Sequence, residues 1–159
     1  MSRPRTVWSL LAGVALVALF ALWAAAHDRA FLYRAMSDAC SNNGLARVHL
    51  LIRLGADPDG TSDYDGPFEF TSHVMVAATH PDCRILRYLV SKGARPDIHE
   101  GDGSTPLSSA ISDHNVEAVR ILLAAGANPR YTMDWTAADQ ARVRGFPDLI
   151  DIVKPYLKP

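Results

Sequence analysis

The sequence predicts an all-α solenoid of about four helix-turn-helix repeats, preceded by one N-terminal transmembrane helix. A motif of Gly, Ala, one polar or charged residue and Pro occurs three times, beginning at Gly55, Gly93 and Gly126. The glycines lie 38 and 33 residues apart, and a period near 33 residues is typical of stacked helical repeats. The transmembrane helix is indicated by an uncharged apolar run at residues 7–26.

Residues 1–6 are predicted to form a short cytoplasmic N-terminus, and residues 7–26 a transmembrane signal-anchor helix. The apolar run is 20 residues long, and a helix of that length reaches about 30 Å, the thickness of the hydrocarbon core of a bilayer. Trp8 and Trp23 lie near its two ends, where indole rings favour the headgroup region. Because the modest excess of arginine precedes the run, the positive-inside rule predicts a single-pass membrane protein with a periplasmic repeat domain.

A cleaved signal peptide is the alternative for this segment, because Ala24-Ala25-Ala26 offers a cleavage site of the A-x-A type. The apolar core of a signal peptide is usually about 7 to 15 residues, so the longer run favours an anchor. A buried helix of the fold is less favoured, since a short helical stack has no cavity for a helix that is apolar on all sides. Both favoured interpretations export the repeats.

Residues 27–158 are predicted to form the repeat domain. Each Gly-Ala-x-Pro motif predicts a helix end, because Gly adopts the left-handed conformation after a helix and Pro cannot continue it. Apolar residues with helical spacing precede each motif at the same offsets. The three sets are Leu45, Val48, Leu51 and Ile52, then Cys83, Leu86, Leu89 and Val90, then Val116, Val119, Leu122 and Leu123.

A second helix in each repeat is predicted from its N-cap residue. Thr105 precedes Pro106, which suits the first position of a helix, and Ser72 and Thr136 occupy the same place in neighbouring repeats. The run Thr105-Pro-Leu-Ser-Ser-Ala110 resembles the T-P-L-H-x-A motif of the ankyrin-repeat family, with Ser108 in place of His. The resemblance covers roughly residues 30 to 158 and implies an ankyrin-repeat solenoid.

The composition agrees with an ordinary globular chain and argues against a nucleic-acid-binding protein. Apolar residues make up 48%, charged residues 21%, and the net charge is −1, without a basic stripe. The two cysteines, Cys40 and Cys83, could form a disulfide in an exported domain. Small buried apolar residues are the favoured interpretation of both, because the repeat phase places each on a packed face.

The sequence indicates no catalytic or cofactor site. His80 and Cys83 lack the second ligand pair that structural zinc needs, and the acidic run 57–66 fails the EF-hand pattern in both registers. The serines Ser108, Ser109 and Ser112 have no glycine-flanked elbow and no histidine at a fixed spacing. We therefore expect no enzyme, metal, cofactor, small-molecule substrate or nucleic acid.

Function is then expected to reside in the surface, and the resemblance implies a protein–protein interaction module whose partner is another protein. The first interval is five residues longer than the second, and the excess falls in residues 57–71. Aromatic and charged residues on the loop tips are the candidate protein-binding residues, namely Tyr64, Phe68, Phe70, His99, Glu100, Arg130, Tyr131 and Trp135. For Phe68 and Phe70, packing onto the neighbouring helices is an equally weighted alternative.

Two alternatives to a general interaction module follow from the predicted location. One is an immunity or inhibitor protein that binds a toxic enzyme in the exported compartment. The other is an accessory structural subunit of a membrane complex, in which residues 7–26 pack against other transmembrane helices. At the C-terminus, Pro155 predicts that the last helix kinks or stops close to it.

Overall fold

The computed structural model describes residues 29–60, 72–98, 103–130 and 135–157. These residues form α-helices arranged as four successive antiparallel pairs, followed by a short 3₁₀ helix at Lys154–Leu157. The helices are α1 (Arg29–Ser41), α2 (Leu45–Arg53), α3 (His73–Thr79), α4 (Arg84–Ser91), α5 (Pro106–Ser112), α6 (Val116–Ala124), α7 (Ala137–Arg144) and α8 (Pro147–Val153). No β-strand forms in these ranges, so the predicted all-helical repeat architecture is confirmed for the described chain.

The first helices of three repeats begin at the predicted hydroxyl N-caps. The hydroxyl of Ser72 accepts a hydrogen bond from the backbone N–H of Met75 at 3.1 Å. Thr105 and Thr136 each form a capping box, the first with Ser108 and the second with Asp139. Each cap satisfies backbone donors that have no partner inside the helix, which fixes where the helix starts.

The second helices end as the Gly-Ala-x-Pro motifs predict. Gly55, Gly93 and Gly126 have φ angles of 94°, 88° and 94°, in the left-handed region that glycine adopts without strain. The alanine after each glycine donates its N–H back into the helix, as in the 2.9 Å bond from Ala127 to the carbonyl of Leu122. At the C-terminus α8 stops at Val153, two residues before Pro155, as predicted.

The twelve apolar residues that recur before the stops all belong to one continuous core. Eight of them are buried, and Leu45, Ile52, Val90 and Val116 are partly buried against the others. The odd-numbered helices pack against one another along the stack and the even-numbered helices do the same, so each repeat covers the apolar face of the next. In α1, Leu32 and Met36 extend the core to the first repeat.

A repeated hydrogen bond links the turn of one repeat to the next repeat. The carboxylate of Asp59, which follows the first motif, accepts from the backbone N–H of Arg95 at 2.6 Å and from its Nε at 2.7 Å. Asp97 follows the second motif and accepts from the backbone N–H of Asn128 at 2.7 Å. The third motif is followed by Arg130, whose guanidinium donates instead to the carbonyl of Leu157 at 2.6 Å.

A second set of bonds joins the turns on the opposite side of the stack, between the two helices of each repeat. Asn43 donates to the carboxylate of Asp82 at 2.9 Å, joining the first repeat to the second. His114 lies 3.0 Å from both carboxylate oxygens of Asp148, joining the third repeat to the fourth. Hydrogen bonds from Arg84 and Asn43 hold the pKa of Asp82 well below its ordinary value, so this carboxylate stays ionised.

The proposed signal-anchor helix at residues 7–26 lies outside the described residues. Within residues 29–60, 72–98, 103–130 and 135–157, the helices are too short or too polar to span a bilayer. The long insertion is described only at its start, as far as Gly60, so its aromatic residues also lie outside the described part.

Both cysteines are buried free thiols. Cys40 lies in the last turn of α1, and burial raises its pKa to about 12. Cys83 caps α4, its pKa is raised mainly by burial, and its Sγ lies 3.6 Å from Oδ1 of Asn115. Each cysteine therefore packs as a small apolar residue, which is the interpretation that the repeat phase favoured.

Candidate functional site

A groove of about 580 Å³ lies on the outer faces of α5 and α7, between the third and fourth repeats. One wall carries the hydroxyls of Ser108, Ser109 and Ser112, and the other carries Gln140 and Arg144. The groove lies on first helices of the repeats, the face that solenoids use to bind other molecules. Its size is within the range of about 300–1,000 Å³ that is usual for ligand-binding clefts.

The helical period places these polar side chains in the groove. In α5, Leu107, Ala110 and Ile111 are fully buried in the core, which turns the serines between them outward. In α7 the buried residues are small alanines, at positions 137, 138 and 141. Because alanines allow the helix to approach α5 closely, the side chains of Gln140 and Arg144 reach across the groove.

Hydrogen bonds across the floor of the groove hold the two helices together. Nε2 of Gln140 donates to the carbonyl of Ser108 at 2.9 Å and to the hydroxyl of Ser112 at 3.0 Å. Nη2 of Arg144 donates to the same hydroxyl at 3.2 Å. The carboxamide oxygen of Gln140 is buried and has no hydrogen-bond partner in the described part of the chain. The floor is therefore preorganised by hydrogen bonds between the two helices.

Two apolar side chains and two charged side chains also line the groove. The indole of Trp135 is 42% exposed and the side chain of Val143 is 75% exposed, although both are apolar. Arg144 supplies a positive charge and Asp113 a negative charge. An exposed aromatic residue beside fixed donors and acceptors is typical of an anchoring point for a partner side chain.

The structure places one of the eight candidate binding residues in this groove. Trp135 lines it, just before the capping residue of α7. Arg130 is exposed at the base of the same loop, where it pairs with Thr136 in an isolated antiparallel bridge, but its guanidinium is directed to the carbonyl of Leu157. The remaining candidates lie outside the described residues, namely Tyr64, Phe68, Phe70, His99, Glu100 and Tyr131.

Sequence reasoning did not name the polar wall of the groove. As functional groups, the sequence suggests Ser108 and Ser112 at most as nucleophiles, and it marks none of Gln140, Val143 and Arg144 as a binding residue. The helical phase of α5 and α7 could have indicated these residues. They occupy the positions of each helix that face away from its buried residues. The phase does not show, however, that the two outward faces enclose one cleft.

The described residues offer polar binding groups and no preassembled reactive centre. Across residues 29–60, 72–98, 103–130 and 135–157, no cluster of three His, Cys, Asp or Glu side chains could hold a metal ion. The ring nitrogen of His114 bonds to Asp148 rather than to a serine of the groove. The lining therefore suits reversible binding through hydrogen bonds and one aromatic contact.

Comparison with known proteins gives two findings. The family profile described as ankyrin repeats, in three copies, matches residues 36–133 and residues 74–154. A glycerophosphocholine phosphodiesterase, gde1 of Schizosaccharomyces pombe, is 34% identical over 107 residues. That alignment covers 65% of this chain and 9% of the relative, so the chain spans less than a tenth of the length of that protein.

Proposed function

Because the chain belongs to the ankyrin-repeat family, we propose that it is a non-catalytic protein–protein interaction module held at a membrane by residues 7–26. Its repeats lie in the exported compartment, which is the periplasm in a Gram-negative cell. The observation that carries the binding role is the groove between α5 and α7, with its exposed Trp135 and its fixed polar floor. The phosphodiesterase activity in the name of the relative is not transferred, since the alignment covers 9% of that protein.

The chemistry of the groove defines the segment of the partner that it accepts. Trp135 and Val143 favour an apolar or aromatic side chain, because their exposed surface loses water on contact. The guanidinium of Arg144 favours a carboxylate close to that apolar side chain. A short protein segment that contains an acidic and an apolar residue fits both features.

We expect the partner to be captured covalently from position 135. The full chain is produced in its native host with the photoreactive amino acid benzoylphenylalanine in place of Trp135, and membranes are irradiated before purification and mass spectrometry. The matched control carries the same residue in place of Tyr156, an aromatic residue of similar exposure, 48%, in the 3₁₀ helix and outside the groove lining. We expect a specific adduct from position 135, and a weaker one when Arg144→Glu is added.

Equal yields of the same adduct from positions 135 and 156 would exclude the groove as the binding site. An adduct from position 135 that Arg144→Glu does not weaken would show that the carboxylate preference is wrong. Failure of position 135 to give any protein adduct contradicts the proposed role of the groove.

The anchoring role rests on the sequence of residues 7–26, and a separate measurement tests it. After the full chain is expressed with its natural N-terminus, membranes are washed with alkaline carbonate, which removes proteins that are not inserted. We expect the chain to stay in the membrane pellet, because burial of about 20 mostly apolar residues strongly favours insertion. The N-terminus of the recovered chain is then determined. A mature N-terminus at His27 would show that the segment is a cleaved signal peptide.

A further inference from the structure

One carboxylate that lines the groove has no partner in the described part of the chain. Residues 103–130 and 135–157 contain five carboxylates. Four of them pair with a basic side chain, namely Glu117 with Arg87, Asp139 with Arg142, Asp148 with His114 and Asp151 with Lys154. The fifth, the exposed carboxylate of Asp113, forms no ion pair or hydrogen bond with any described residue. It is therefore accessible to a bound molecule.

The place of Asp113 in α5 is electrostatically unfavourable for a carboxylate. Asp113 is the C-cap residue of α5. The C-terminal end of a helix carries a partial negative charge, which favours a cation and disfavours an anion. At the end of α7 that preference is met, because the last residue is Arg144. A residue that breaks a local rule without a compensating contact is typical of a functional position.

Asp113 and Arg144 occupy the same position in successive repeats. Asp113 lies eight residues after the N-cap Thr105, and Arg144 lies eight residues after the N-cap Thr136. The helices α5 and α7 pack against each other along the stack. Because packed helices are about 10 Å apart, the two side chains of opposite charge start about 10 Å from each other at one end of the groove.

Arg144 does not neutralise Asp113 in the structure. Its guanidinium donates to the hydroxyl of Ser112 at 3.2 Å and forms no ion pair with Asp113. Nε2 of Gln140 donates to the same hydroxyl at 3.0 Å, so the group that holds Arg144 is itself fixed. The groove therefore presents a positive and a negative group separately.

The aromatic contact lies at the other end of the groove. Trp135 precedes the N-cap of α7, whereas Arg144 is the last residue of that helix. The helix has eight residues, and a helix of that length is about 12 Å long. About four residues of an extended segment span the same distance.

We propose that Asp113 binds a basic side chain of the partner, so that the segment in the groove carries a lysine or arginine as well as the acidic residue that Arg144 favours. In an extended segment the two charged residues are about three positions apart, the number that spans 10 Å. A purely acidic segment is repelled by Asp113 and a purely basic one by Arg144, which excludes wrong partners. This inference rests on the proposed binding role of the groove and adds a second charge to the partner.

The test uses the crosslink from benzoylphenylalanine at position 135 of the full chain. Membranes from the native host are solubilised in mild detergent and irradiated over a dilution series, which gives the concentration of half-maximal adduct. We expect Asp113→Asn to raise this concentration about threefold and Asp113→Lys about tenfold or more, because the first removes a charge pair and the second adds a like-charge pair. Asp151→Lys is the matched control, because Asp151 is an exposed carboxylate of α8 outside the groove lining, and we expect no change.

Loss of folding does not account for a weaker adduct from Asp113→Lys, since a helix C-terminus favours lysine over aspartate. Far-UV circular dichroism of each purified variant confirms the fold. The double variant Asp113→Arg with Arg144→Asp keeps the net charge of the groove and exchanges the two positions. We expect its adduct to remain about tenfold weaker, because the charges then face the wrong residues of the partner. Recovery of the adduct in this variant would show that net charge alone matters and would overturn the assignment.

The sequence of the crosslinked partner peptide gives a direct measurement. We expect one basic and one acidic residue within about seven positions of the crosslinked residue, the sum of the two spacings above. A peptide without a basic residue in that range, or an adduct that Asp113→Lys leaves unchanged, would overturn this inference and leave the binding role of the groove intact. Failure of position 135 to give an adduct in the chain without further substitutions would contradict the binding role itself.

Discussion

Replacing Asn115 with Ala is expected to lower the free energy of unfolding by about 2–4 kcal/mol. Its side-chain oxygen accepts from the N–H of Ala118 at 3.1 Å and so caps α6. Its amide nitrogen donates to two carbonyls of the preceding repeat, those of Ala78 at 3.0 Å and His80 at 2.8 Å. Truncation removes the cap and also leaves both carbonyls without this donor, so the two losses add.

The measurement is urea unfolding of the full chain in mild detergent, followed by far-UV circular dichroism. Asn115→Ser separates the two roles, because the hydroxyl keeps the cap but is too short to reach the two carbonyls, and we expect about half to two thirds of the loss. Asn42→Ala is the matched control. Asn42 is exposed and bonds only within its own repeat to Asp38, so its removal is expected to cost less than about 0.5 kcal/mol. Equal losses for Asn115→Ala and Asn42→Ala would contradict the role assigned to the bridge between repeats.

Acidification from about pH 6.5 to about pH 4 is expected to remove about 3 kcal/mol of stability through His73 alone. The side chain is 1% exposed and its ring stacks on Tyr33. Nδ1 of His73 is buried with no hydrogen-bond partner among the described residues. The backbone of Gly60 also packs on the ring, since a Cβ at Gly60 would lie 2.5 Å from it. Burial therefore lowers the pKa of His73 from 6.5 to about 4, although the carboxylate of Asp57 acts in the opposite direction.

The direction of the pH effect on the free energy of unfolding follows from which state, folded or unfolded, binds more protons. The unfolded chain protonates His73 below about pH 6.5, whereas the folded chain does so only below about pH 4, so the unfolded state binds more protons between these values. Stability is therefore complete above about pH 6.5 and is lost as the pH falls toward 4.

Unfolding free energies measured at several pH values test this effect. His73→Phe keeps an aromatic ring against Tyr33 and removes the titrating group, so we expect a smaller slope between pH 6.5 and pH 4. His49→Phe is the matched control, because His49 also stacks on a tyrosine, Tyr88, but is exposed. If His73→Phe and the unsubstituted chain lose the same stability on acidification, the buried histidine is not responsible.

The parts of this fold that sequence reasoning predicted are those that local rules determine. The caps at Ser72, Thr105 and Thr136 follow from hydroxyls placed before helices, and the helix ends at the three glycines follow from their left-handed backbone. Both rules involve residues within about four positions of each other. The same caps and helix ends then recur in successive repeats at the repeat period.

The candidate site was less predictable, because it depends on contacts between residues distant in sequence. Gln140 donates to Ser108 and Ser112, which lie 32 and 28 residues earlier in the chain, and no local pattern specifies that pairing. In the structure Asn115 caps α6, and its bonds to the preceding repeat depend on how closely α3 and α6 approach. Trp135 was found by residue type alone, since exposed aromatic residues on loop tips are common anchors.

The hydrogen bonds of Asp59 and Asp97 have the same direction along the stack. In both, the acceptor lies in the earlier repeat and the donor in the later one. The first and second repeats each provide a carboxylate, which accepts a hydrogen bond from a backbone N–H of the following repeat. After the third motif the equivalent position is occupied by Arg130, which has no carboxylate. Its guanidinium donates to the carbonyl of Leu157 instead. Arg130 therefore ties the third turn to the end of the fourth repeat by a bond in which the earlier residue is the donor, the reverse of the two bonds before it.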